Sequence, residues 1–84
     1  MEPNTPIYET SLVDFRLFND EQLAAAREGF CAANRAGRNT SPEAFSLYLR
    51  GLLRQIVRLD TRLIKSRGIA WACGHAMGLK ELER

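Results

Sequence analysis

From Phe45 onward the apolar positions recur at Leu49, Leu52, Ile56, Leu59 and Leu63, with gaps of 4, 3, 4, 3 and 4. That is the spacing of one helical face. Ser41 followed by Pro42 suits a capping side chain and a first helical residue that needs no N–H, and Gly68 suits the far end. The pattern predicts one long helix over residues 42–67. At about 100° per residue, Leu53, Val57 and Ile64 widen its apolar arc well beyond a two-helix seam. The opposite arc carries Arg50, Arg54, Arg58, Arg62 and Lys65, the arginines repeating every fourth residue. Asp60 falls inside the apolar arc, where an unpaired carboxylate is costly. It is expected to find an arginine, with Arg67, Arg27 and Arg35 as candidates, a backbone donor, or the rim of the core.

Upstream, residues 1–10 contain Pro3 and Pro6 and are expected to form a loose arm. Residues 11–18 carry two patterns at once. Val13, Phe15 and Leu17 alternate with Asp14 and Arg16, which is strand period, while Ser11 and Asp14 have the spacing of a cap on a short helical turn. A strand here needs a partner, and no second strand is evident within the chain. The same segment of another chain is therefore its main route to a sheet; otherwise the segment is expected to be a short helix or an extended apolar arm. Asn19 and Gln22 have capping-box spacing and predict a helix over 20–36, with Leu23, Ala26, Phe30 and Ala33 on one face.

The final predicted helix, residues 69–82, combines a Trp71, His75, Leu79 stripe with small residues that include Gly74 and Gly78. Glycine costs about 1 kcal/mol relative to alanine within a helix, so close packing is the expected return. Trp71, Gly74, Met77, Gly78 and Leu79 are the expected packing or dimer contacts. The long helix would span about 37 Å and the first helix about 24 Å, leaving apolar surface for a second subunit. The predicted fold is all-α: a three-helix antiparallel bundle with one long central helix, one small domain over residues 1–84, completed by dimerisation.

Charge changes this picture only in its distribution. The net charge is +2, but residues 1–30 hold six acids against two arginines, and residues 42–67 hold six bases against two acids. Two cysteines, Cys31 and Cys73, do not make a disulfide framework. No leader pattern is evident and no apolar run reaches the length of a membrane span, so a cytoplasmic protein is expected. Cys31, Cys73 and His75 lack zinc-ligand spacing, no glycine-rich phosphate loop follows a strand, and no nucleophile sits beside a base. The expectation is a non-enzymatic binding module or regulator. It would need no cofactor, metal or small-molecule substrate, act as a homodimer through protein–protein contacts, and meet its partner with Arg50, Arg54, Arg58, Arg62 and Lys65. The alternative is a regulator that grips nucleic-acid phosphates with that arginine ridge.

Overall fold

The computed structural model describes residues 7–83, which are 69% helical and include a two-stranded antiparallel sheet. The order is β1 (Tyr8–Val13), a 3-10 turn (Phe15–Leu17), α1 (Asp20–Ala33), a second 3-10 segment (Arg35–Asn39), α2 (Pro42–Gly51), β2 (Gln55–Asp60), α3 (Thr61–Arg67) and α4 (Ile69–Leu82). The fold is thus α+β, and the all-α bundle with a long central helix is overturned. The expected loose arm over 1–10 falls partly outside the described residues; of its later part, Tyr8 to Thr10 belong to β1.

Residues 42–67 divide into helix, strand and helix. Ser41 caps α2 by accepting from the Ala44 N–H, with Pro42 in the first turn. The helix ends at Gly51, and Leu52 turns extended, with φ −74° and ψ 142°. Glycine weakens a helix through backbone entropy, and the β-branched pair Ile56–Val57 that follows favours a pleated strand. In β2, Val57 and Leu59 are buried while Ile56 and Arg58 are exposed, a period of 2. Asp60 then caps α3, accepting from the Arg62 N–H.

β2 is the partner that β1 needs. The register runs from Tyr8 opposite Asp60 to Val13 opposite Gln55, so the strand finds its mate inside the chain. Neither reading of residues 11–18 holds as made. The strand lies earlier and ends at Val13, so Phe15 and Leu17 leave it for a 3-10 turn. That turn is capped by Asp14, which accepts from the Arg16 N–H, while Ser11 stays in the strand. α1 carries the reciprocal capping box of Asn19 and Gln22, both bonds at 2.8 Å. It stops at Ala33, because the buried Asn34 turns extended and bonds to Ala36 N–H and Gly78 C=O.

The core lies between the sheet and the helices. Val13, Phe15, Leu23, Phe30, Phe45, Leu49, Val57, Leu59 and Met77 form one buried cluster. Phe30 and Phe45 meet edge to face at 5.0 Å, as do Phe15 and Phe18, an arrangement aromatic rings favour. α1 and α4 lie so close that β-carbons at Gly29 and Gly74 would overlap the carbonyl oxygens of Trp71 and Ala26. α4 is joined to α3 at Gly68, whose φ of 92° suits glycine.

Candidate interaction surface

The alternation that buries Val57 and Leu59 sends their neighbours outward. Leu12 and Ile56 stand directly opposite each other on the outer face of the sheet, 59% and 64% exposed. Tyr8 shares this face, and the Arg58 guanidinium carbon lies 4.5 Å from its ring centre, within cation–π range. In the loop before β2, Leu53 is 80% exposed, and with Leu12, Arg16 and Arg54 it lines a shallow depression of about 470 Å³. Apolar side chains scattered singly are ordinary on a surface, whereas a contiguous group edged by charge is a feature of contact sites. Here Leu12, Ile56 and Leu53 form the group, and Arg16, Arg54 and Arg58 border it.

The expected arginine ridge is dispersed. Arg50 ends α2 and reaches Asp20 at the start of α1, 3.4 Å away. Arg54 lies in the loop, Arg58 on the outer sheet face, and Arg62 in the first turn of α3 beside Asp60 at 3.1 Å. Lys65 is exposed in α3. Asp60 is therefore a helix cap paired with Arg62, and none of Arg67, Arg27 and Arg35 is its salt-bridge partner. Hydrogen bonding from Arg62 holds the Asp60 carboxyl below the usual carboxylate range, and Arg16 does the same to Asp14.

The small residues of α4 face the chain's own α1. Gly74, Met77 and Gly78 are buried, and the Gly78 carbonyl accepts from the Asn34 amide. Trp71 stacks on His75, ring centres 5.3 Å apart and 16° from parallel, and the Arg67 guanidinium carbon lies 5.4 Å from the centre of the Trp71 ring. Leu79 remains exposed and lines a groove with Tyr8, Ile56 and Arg58. The exposed group at Leu12, Leu53 and Ile56 escaped the sequence reading because Leu53 and Ile56 also fit the apolar arc of an unbroken helix. Gly51 and the β-branched Ile56–Val57 pair were the signals against that helix.

Potential chemical groups are muted. Burial pushes the Cys73 thiol up to about 11, which leaves almost no thiolate near neutrality. Among the described residues no three His, Cys, Asp or Glu side chains gather as a metal site. No described helix is long and apolar enough to cross a membrane.

Burial also lowers the His75 pKa, with a smaller opposing pull from Asp60. The folded chain therefore favours the neutral ring, and its contribution to stability is full above the ordinary value of 6.5. That contribution is lost as pH falls through the lowered folded value, because the unfolded chain takes up the proton first. Thermal unfolding followed between about pH 7 and 5 should show a declining midpoint. His75→Phe, which keeps an aromatic ring on Trp71, should flatten that segment. An unchanged slope would assign it to other groups.

No protein-family model matches the chain, and no curated protein or solved structure is detectably similar to it.

Proposed function

We propose that this chain is a small non-enzymatic α+β module or regulator that works by binding another protein through the outer face of its sheet. The observation that carries the reading is the opposed pair Leu12 and Ile56, both more than half exposed and extended by Leu53. With about three-fifths of their surface in water, Leu12 and Ile56 each forgo roughly 1–2 kcal/mol that full burial would supply. A partner that covers them recovers that energy. Arg54 and Arg58 beside the group favour a partner surface with apolar residues at its centre and carboxylates at its border, while Arg16 is already paired with Asp14 at 2.8 Å.

The buried thiol at Cys73 and the stacked, partly buried His75 favour structural roles for both over catalytic ones. Two free cysteines suit a reducing compartment such as the cytoplasm. Against a nucleic-acid reading weigh the dispersal of the arginines over a helix, a loop, a strand and a second helix, and the pairing of Arg50 and Arg62 with Asp20 and Asp60.

The test places a photo-crosslinking residue at position 53 and compares proteins captured by the parent chain and by an Ile56→Asp variant. Ile56 is exposed, so the variant should keep the parent's circular dichroism and lose less than about 1 kcal/mol of stability. Its yield of a defined acidic partner should fall at least about tenfold, since a charge in a desolvated contact centre costs well over 1 kcal/mol. Equal capture by a folded Ile56→Asp chain would refute the surface.

A further inference from the structure

The two edges of the sheet differ. The Thr61 N–H donates to the Ile7 C=O at 2.9 Å, which extends the strand register by one pair. Bonded and non-bonded pairs alternate along an antiparallel ladder, so Ile7, Glu9, Ser11 and Val13 turn their backbone groups toward β2. Tyr8, Thr10 and Leu12 turn theirs away. Lys80 agrees with this parity: its ammonium donates to the Ile56 C=O, on the far side of β2, and to Gln55 Oε1. One edge is thus partly occupied by α4. The other presents the N–H and C=O groups of Tyr8, Thr10 and Leu12 with no bond to another described residue.

Proteins guard free edges with lysine, proline, bulges or a covering element. The β1 sequence YETSLV contains one charged residue, Glu9, but neither lysine nor proline, and its register is continuous. Its inner face is also incompletely covered. Glu9 is exposed although the opposite Leu59 is 1% exposed, and Ile7, which continues the inner-face parity, is 57% exposed. Beneath the other end of the same edge lies a groove of about 430 Å³. Its apolar lining includes Val13, Leu17, Phe18, Ile69 and Cys73.

We propose that β1 pairs antiparallel with β1 of a second copy, in the register that sets Thr10 opposite Thr10, joining two sheets into one of four strands. A two-fold axis requires one residue to face its own copy. With Thr10 at that point, Tyr8 faces Leu12, Glu9 faces Ser11 and Ile7 faces Val13. Each is a compatible cross-strand pair, and aromatic–aliphatic and threonine pairs are favourable ones. The exposed Ile7 of each copy is then brought to the Val13 end of the edge, where the groove opens. Centring on Glu9 would oppose two carboxylates, and centring on Ser11 would set Val13 against Glu9. The edge and its register are independent of the outer-face partner, and the outer faces of the two copies become continuous.

An edge contact of this size is small, so the expected dissociation constant is about 1–100 μM. Sedimentation equilibrium should show a mass rising from 9.5 kDa toward twice that value across this range. Thr10→Pro removes one outward N–H while leaving every bond to β2 in place. It should remain a monomer with unchanged circular dichroism.

Thr10→Cys supplies a second reading that needs no stability margin. Directly bonded partners have Cα atoms about 5.5 Å apart, within disulfide range. Mild oxidation should therefore link Thr10→Cys chains into dimers, well above the background of the parent chain and of Glu9→Cys. A parent chain that stays monomeric through about 1 mM would overturn the proposal. Crosslinking at position 9 as efficient as at position 10 would overturn the register.

Discussion

Gly74→Ala is expected to cost about 3 kcal/mol or more, or to prevent folding, because the added carbon has no place to go. It would overlap the Ala26 carbonyl group, and backbone held in a helix cannot move aside as a flexible side chain can. Overpacking ordinarily costs about 1–3 kcal/mol, and a backbone obstruction belongs at the upper end. Small domains have limited margin, so the effect should be visible as lost helicity at room temperature. Gly78 supplies a graded comparison, since its added carbon would come within 2.9 Å of the Phe30 oxygen and 3.0 Å of the Ala33 β-carbon. Gly51→Ala reverses the sign: nothing lies within 4 Å, and helix propensity should return up to about 0.5–1 kcal/mol. Chemical denaturation of the three variants should rank them Gly51→Ala above parent, then Gly78→Ala, then Gly74→Ala. A Gly74→Ala chain as stable as the parent would mean that α1 and α4 stand farther apart.

The second large effect belongs to Phe15→Ala, expected to cost about 3–5 kcal/mol. Phe15 is fully buried, packs edge to face on Phe18, and anchors the turn between β1 and α1. Removing it leaves a cavity where the sheet meets the helices. Leu17→Ala, two residues along the same turn, should change stability by less than about 0.5 kcal/mol because Leu17 is largely exposed. The measurement is the shift in denaturant midpoint at constant slope. A Phe15→Ala cost below about 1 kcal/mol would show that the turn is not docked on the core.

Local chemistry was the most legible part of the sequence. Asn19 with Gln22, Ser41 with Pro42, and the change of element at Gly68 mark real boundaries because caps act within a few residues. The spacing of residues 45–63 misled for a physical reason. Phe45 and Leu49 face the core from a helix, whereas Val57 and Leu59 face it from a strand, and Leu52, Ile56 and Leu59 coincide with the continued helical spacing. Periodicity alone does not separate short apolar runs of the two kinds. With β2 read as part of a helix, β1 has no mate within the chain, and the same segment of a second chain becomes its route to a sheet. The same error carried Arg50, Arg54, Arg58 and Arg62 onto one ridge. The exposed Leu12, Leu53 and Ile56 were illegible for a related reason: only the strand pairing reveals which of two apolar neighbours faces water.

The glycine seam between α1 and α4 also dictates an order of events during synthesis. Thirty-five residues separate the end of one helix from the start of the other. At about 5–20 residues per second, the ribosome needs roughly 2–7 s to make that interval. Throughout it, the alanine-rich side of α1 that will hold α4 has no companion, and β1 waits for β2 over most of the same span. Closing contacts so distant in the chain favours milliseconds over the microseconds of a simple helical bundle. Among the described elements, the tightest contact is therefore the last to form.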